Sequence, residues 1–429
     1  MDSVKQVAVV GGGWAGLSAA IEATRLGHRV TLFEMAPQLG GRARSVDVSD
    51  ELQLDNGQHI LIGAYVETLR LMRVVGVDER AAFVRRRLEV VDPLGRGLRL
   101  GAGPPVVAFG LAVLRQRDWS WNERVRLLTT AVAWACRGFR CPPMQTVEDL
   151  CAALPRGVRD GFIDPLCVAA LNTPSSDASG SVFLRVIRDA LFAGPGSSDL
   201  LLPRLRLGEL LPAPAHRWLQ QHGADIRLTR RVDQLERAAG TSARWCVDGQ
   251  AFDHVILATT PTEAARLCAA HAPQWAKAAR SLRYEPIVTV YAQSDGTSLP
   301  CPMLMLPSNA DRHPAQFVFD HGALGGRPGL LAFVISGAAA WVERGMDATR
   351  DAVLDQAREQ LETRLRSPLI AIRTLTEKRA TFRCTPGLRR PSAAILPGLH
   401  AAGDHVDGPY PATLEGAVRA GVSAARAVA

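Results

Sequence analysis

Three glycines, Gly11, Gly13 and Gly16, stand in the spacing G-x-G-x-x-G, and a carboxylate, Glu34, follows 18 positions after the last of them. This combination suits a dinucleotide. The first glycine permits a tight turn, the second lets backbone N–H groups approach a pyrophosphate, and the third lets a helix pack closely on a strand. The phosphates then sit at a helix N-terminus, where unpaired N–H groups and the helix dipole favour negative charge. Glu34 is placed to accept hydrogen bonds from adenosine ribose hydroxyls. Taken alone the glycine motif is an ordinary turn; the carboxylate ending the next strand is what specifies a nucleotide.

The elements that must position these groups surround them. "QVAVV" reads as a strand buried on both faces, "WAGLSAAIEATRLG" as a helix closed by Gly27, and "HRVTLFE" as a second strand. From about residue 65 to 202 the pattern turns helical, with "NERVRLLTTAVAWACRGF" and "SVFLRVIRDALFAG" as the clearest segments. A second α/β signal follows: the helix "ELLPAPAHRWLQQHG", a hairpin around "WCVDGQ" and the apolar strand "DHVILATTP". Strands suited to a mixed sheet ("PIVTVYAQS", "GLLAFVISG"), a charged helix and a closing helix, "ATLEGAVRAGVSAARAVA", complete the chain.

Three features decide between NAD and FAD. "GGRARS" follows Glu34, so Arg42 and the backbone of Gly40 and Gly41 are able to face the pyrophosphate or flavin. "VILATTP" ends a second parallel strand in a turn of small residues. "HAAGD" ends a third strand, with Asp404 placed to hold the ribityl chain or its neighbouring phosphate. The helix after it presents amides near Thr413 and Leu414 that suit the negative charge of a reduced flavin. A cofactor touched by both ends of the chain is long, which points to FAD. The expected fold class is therefore α/β. A Rossmann-like FAD-binding domain of three layers (ββα) is assembled from residues 1–64, 204–268 and 390–429. An α+β substrate domain with a mixed sheet and helices, residues 65–203 and 269–389, is inserted between these pieces.

Composition narrows the partners. The chain has 429 residues and a net charge of +8, but its 50 basic residues include only three lysines, Lys5, Lys277 and Lys378. The excess is an arginine habit, no run of five basic residues occurs, and nucleic-acid binding is not expected. Eight cysteines lie scattered without a C-x-x-C pair or zinc spacing, so no metal is expected and the thiols suit a reducing cytoplasm. No signal-peptide cleavage site is read at the N-terminus, and the longest uncharged stretch, "PGLLAFVISGAAAWV", is short for a bilayer span. "FGLAVLRQRDWSWNERVRLLTTAVAWACRGFR" mixes arginines with Trp119, Trp121 and Trp134. That mix suits peripheral contact with a membrane, and a helical hairpin covering the core explains it equally well.

"LDNGQHILIGAY", "EKRATFRCTPG" and "AAGDHVDGPYPATLEGAVRAG" resemble the FAD-dependent amine oxidase and phytoene desaturase superfamily. Within it they look closest to the squalene-associated desaturases, the hydroxysqualene dehydroxylases of bacterial hopanoid synthesis. The resemblance covers essentially the whole chain. His405 departs from the group, which often has an aromatic residue there. The resemblance implies reductive dehydroxylation of hydroxysqualene to squalene, with FAD as cofactor and an apolar isoprenoid lipid as substrate. Such chemistry needs a long apolar tunnel, a proton donor for the departing hydroxyl and hydride from reduced flavin. Beside the residues already named, Trp14, Ala15, Gly57, Gln58, Val232 and Gly403 are expected around the cofactor. His59 is the candidate proton donor, with Asp55 to orient it or to cap the turn before Gly57. Glu415 is a second candidate acid, and Tyr410 lines the tunnel or packs a turn. A carotenoid-type desaturase, a flavin amine oxidase, for which Lys378 is the one plausible lysine, and a prenyl-lipid carrier without cofactor are the alternatives.

Overall fold

The computed structural model describes residues 4–49, 52–238 and 244–428. A six-stranded sheet forms from Gln6–Val10, Arg29–Phe33, Asp225–Arg227, His254–Leu257, Ala394–Leu396 and Leu399–Ala401. In space Asp225–Arg227 is one edge, followed by Arg29–Phe33, Gln6–Val10, His254–Leu257 and Leu399–Ala401, all parallel; Ala394–Leu396 closes the other edge antiparallel. Side chains alternate across it as strand geometry requires. Val7 and Val9 pack into the helical layer with Leu17 and Val418, whereas Ala8 and Val10 meet Trp245 and Phe252 of a three-stranded antiparallel meander. The result is the three-layer arrangement expected from the sequence.

Trp14–Arg25 and the closing helix Leu414–Arg426 cross closely in the helical layer. A Cβ at Gly421 would collide with the carbonyl of Ala15, so only glycine allows this approach. Buried Glu22 on the first helix receives Arg70 at 3.1 Å and Arg426 at 2.8 Å, tying the N-terminal unit to the C-terminal one.

The second sheet has five strands, in the order Met303–Met305, Phe317–Asp320, Leu330–Ile335, Tyr284–Gln293, Ile370–Phe382. The sequence suggested a mixed sheet, and this is corrected: every pairing is antiparallel. Leu330–Ile335 and Ile370–Phe382 do run the same way, joined through helices Ala339–Arg344 and Met346–Gln360, but Tyr284–Gln293 lies between them and opposes both. One face of this sheet buries Val288, Val290 and Phe333 against Trp341 and Val353 of those helices. The other face carries Tyr291, Phe317 and Phe319 toward Leu54, Leu200 and Leu202. A separate helical layer, residues 105–192, has its own core around Phe109, Leu127, Trp134 and Phe183. Its first two helices, Pro105–Arg115 and Trp121–Cys136, bury Trp119 and Trp134 but leave Trp121 65% exposed.

Candidate active site

The glycine turn sits between Gln6–Val10 and Trp14–Arg25. Gly11 has φ +106°, and a Cβ on Gly16 would collide with the carbonyl of Gly11. Gly13 bridges to Gly40, and a Cβ on Gly41 would lie 3.1 Å from the Gly13 Cα. Two glycine loops thus meet backbone to backbone beneath the start of the first helix. Trp14 and Ala15 open that helix as buried residues, and the Trp14 indole donates to the Ala43 carbonyl at 3.0 Å, holding the second loop in place. The Glu34 carboxylate accepts from Gly12 N at 2.6 Å and from Ala36 N at 2.7 Å, which fixes it at the mouth of the turn with lone pairs left over.

Arg42 and Asp404, separated by 362 positions, form an ion pair at 2.6 Å. Burial alone would raise the Asp404 carboxyl, but Arg42 and the neighbouring His405 hold it well below the usual carboxylate range. Arg42 also donates to the Ala380 carbonyl at 2.7 Å, so one guanidinium gathers the glycine loop, the strand Ile370–Phe382 and the C-terminal segment. Asn56 completes the clamp, donating to the Arg42 carbonyl at 3.0 Å and to Glu377 at 3.1 Å. The sequence reading did not single out Asn56 or Glu377, although both lie in stretches that carry the resemblance. Gly403 lies against the His405 ring and is buried. Thr413 caps the closing helix through Gly416 N at 3.0 Å, leaving Leu414 at its first turn. Val232 is buried in the core between the six-stranded sheet and the meander, its carbonyl accepting from Arg266 at 2.6 Å.

The candidate catalytic groups separate. His59 bonds at Nδ1 within its own loop, donating to the Gly57 carbonyl at 3.0 Å. A carbonyl can only accept, so Nδ1 carries hydrogen and Nε2 of the neutral ring is the free lone pair. Burial lowers the His59 pKa, the Gly57 carbonyl opposes this and the Arg42 charge adds to it. Asp55 does not orient His59. Its carboxylate accepts from Ser45 Oγ at 2.9 Å and Leu207 N at 3.0 Å, and burial pushes it up to about 6. The turn before Gly57 is closed by the main-chain carbonyl of Asp55, which accepts from Gly57 N at 2.8 Å, rather than by its side chain. Glu415 is corrected too. Its carboxylate accepts from Glu67 N, Thr68 N, Thr68 Oγ1 and Arg419, capping the helix Val66–Val74. Both oxygens are committed to four donors of the protein itself, which makes this carboxylate a structural cap between two helices. Tyr410 stands between the guanidinium groups of Arg185 and Arg419, 5.6 and 4.8 Å from its ring, and meets Tyr65 edge-on, so it packs the turn. Lys378 is exposed on its strand.

Several groups beside this cradle lack partners: Arg44 Nε, Gln58 Oε1, Thr289 Oγ1 and His405 Nε2 are buried and unbonded among the described residues. Paired glycine loops, a fixed acceptor at Glu34 and unspent donors and acceptors fit a dinucleotide. The family model for flavin containing amine oxidoreductases matches residues 14–429. The chain belongs to that family. It is an FAD-dependent oxidoreductase with a Rossmann-like cofactor fold. Among curated proteins it is similar to the hydroxysqualene dehydroxylase of Rhodopseudomonas palustris, 27% identical over 98% of this chain and 97% of that protein. It is also similar to the zeta-carotene desaturase of a Synechocystis strain, 24% identical over 99% of this chain and 97% of that one. Among solved structures an oxidoreductase from Methanosarcina mazei shares the fold, with a TM-score of 0.73 at 17% identity, covering 97% of this chain and 99% of that one.

Proposed function

We propose that this enzyme reductively dehydroxylates hydroxysqualene to squalene in hopanoid synthesis. The end-to-end similarity to the Rhodopseudomonas palustris hydroxysqualene dehydroxylase carries the reading. The balance is simple: a C–O bond breaks, the hydroxyl leaves as water with one added proton, and a C–H bond forms from a hydride. Reduced FAD would supply that hydride and be left oxidised by two electrons. In this reading residues 1–64, 204–268 and 390–429 bind the cofactor. Gly11, Gly13, Trp14, Ala15, Gly16, Gly40 and Gly41 cradle the pyrophosphate, Glu34 takes the adenosine ribose, and Val232 lies at the adenine end. Arg42, Gly57, Gln58, Gly403, Asp404, Thr413 and Leu414 face the flavin end. Residues 65–203 and 269–389 build the lipid site, for which the apolar sheet face around Phe317 and Phe319 is the natural wall. His59, when protonated, gives its Nε2 proton to the departing hydroxyl.

The lipid reaches this wall from a membrane. The outer faces of Pro105–Arg115 and Trp121–Cys136 expose Val106, Val107, Leu111, Trp121, Val125 and Val132, next to Arg117, Arg124 and Arg126. An apolar stripe edged by arginines suits the headgroup boundary of an anionic bilayer. Among the described residues no helix is long and apolar enough to cross one. We place the enzyme in the cytoplasm, peripheral on the inner face of the membrane.

The decisive experiment uses protein reduced anaerobically with dithionite. Hydroxysqualene should reoxidise the flavin and appear as squalene by mass spectrometry. Bleaching of the oxidised flavin by a polyene or an amine, with no response to hydroxysqualene, would instead assign a desaturase or an amine oxidase.

A further inference from the structure

On the strand Tyr284–Gln293, Ile287, Thr289 and Tyr291 project from the same face by the two-residue period of a strand. Ile287 and Tyr291 join the apolar cluster that includes Phe317, Phe319 and Leu375, so a hydroxyl at 289 stands in a hydrocarbon wall. Thr289 is 1% exposed, and its Oγ1 has no hydrogen-bond partner. A threonine back-bonded to its own strand or replaced by valine would avoid that cost; this one does neither. What faces it is the loop of the candidate site: a methyl placed on Gly57 would lie 3.7 Å from Thr289 Oγ1. The same Gly57 holds His59 through its carbonyl. The next residue, Gln58, carries a second buried oxygen without a partner, Oε1.

A hydroxyl can donate and an amide oxygen can only accept. A ligand satisfying both must offer an acceptor and a donor, and on an otherwise hydrocarbon substrate a single alcohol hydroxyl is both. We propose that Thr289, with Gln58 on the loop that faces it, is the specificity-determining pair that recognises the hydroxyl of an otherwise hydrocarbon substrate. The inference rests on the reading of the substrate as a prenyl alcohol and adds the residues that tell the alcohol from its hydrocarbon product. The competing occupant of these groups is the flavin ring itself.

The test uses full-length, FAD-loaded protein in the oxidised state, where no turnover occurs. Affinities for hydroxysqualene and squalene are read from the perturbation of the flavin absorbance, and FAD affinity is read separately by fluorescence. Wild type should prefer the alcohol. Thr289→Val should weaken hydroxysqualene binding by about tenfold, the scale of one lost hydrogen bond, while squalene and FAD affinities stay within about twofold. Thr289→Ser should restore the preference. The proposal is overturned if Thr289→Val keeps the preference, if it weakens both lipids equally, or if its loss falls on FAD affinity. A wild type that prefers the alcohol yet is not reoxidised by it would sink the dehydroxylation and leave this recognition standing; a wild type with no preference sinks the recognition itself.

Discussion

A histidine with a lowered pKa is a poor resting proton store and a strong acid once charged. His59 is in that position: burial and the Arg42 charge disfavour its imidazolium, while the Gly57 carbonyl keeps Nδ1 protonated in either state. Because its folded pKa lies below the ordinary value near 6.5, the donor form is populated only as pH falls through and below that range. Single-turnover reoxidation of the reduced enzyme by hydroxysqualene should therefore accelerate from pH 8 toward acid. His59→Ala should retain FAD, lose about 100-fold in that rate at the acid end and flatten the profile. A variant with the wild-type profile would remove His59 from proton delivery. Glu34 could be singled out in the sequence because a carboxylate that ends a strand after a glycine turn suits a nucleotide ribose. Thr289 was not: threonine is a favoured strand residue, and "PIVTVYAQS" hides it among β-branched neighbours. Its meaning appears only when Gly57, more than two hundred positions earlier, is set against it. Glu415 misled for a related reason, since a carboxylate in a helix's first turn looks the same whether it serves its own helix, a cofactor or, as here, a second helix.

At the scale of elements, periodicity located most helices and strands but not strand direction. The helical segment between Leu330–Ile335 and Ile370–Phe382 has the look of a crossover joining adjacent parallel strands, and nothing in the alternation reveals that Tyr284–Gln293 is inserted between them. The short strands Phe83–Arg86 and Glu89–Val91 were passed over because consecutive arginines at 85, 86 and 87 break the apolar alternation. For the hairpin of Pro105–Arg115 and Trp121–Cys136 the two explanations offered by the sequence are not exclusive. Its inner face covers a core and its outer face is apolar as well. Charging that outer face, with Val107→Glu, Trp121→Glu and Val132→Glu together, should cut co-sedimentation with anionic vesicles by tenfold or more, since each buried apolar side chain contributes roughly 1.5–3 kcal/mol. FAD content should be unchanged. Vesicle binding that survives the triple change would place the membrane face elsewhere.

Across the whole molecule, the proposed cofactor site draws on residues 11–16, 34–44, 56–59 and 403–414, which an ion pair, a side-chain hydrogen bond and a backbone bridge bring together. A ligand that bonds all of them binds the folded chain alone, so added FAD should raise the unfolding temperature of apoprotein steadily with concentration, by about 2.7 kcal/mol of stability at one hundred times Kd. Glu34→Ala should shift that titration to higher FAD without lowering the unfolding temperature of the apoprotein. A lowered apoprotein unfolding temperature with an unshifted titration would mean that Glu34 holds the fold, through Gly12 and Ala36, more than it holds the nucleotide. The three-layer plan was legible because its strands are apolar and its turns glycine-rich; the closure of the plan, through Arg42 and Asp404, rests on one pair that no local pattern announces.

That pair also sets a timetable. Ribosomes deliver a chain from its N-terminus, and the first strands and glycine turns are made long before residue 404 exists. The partner of Arg42 and the helix beginning at Leu414 emerge more than 350 residues after Arg42 itself. If the proposed site is the flavin's, capture waits for this pair to form, and a messenger cut short before codon 404 should yield a colourless polypeptide however well its earlier portions have folded.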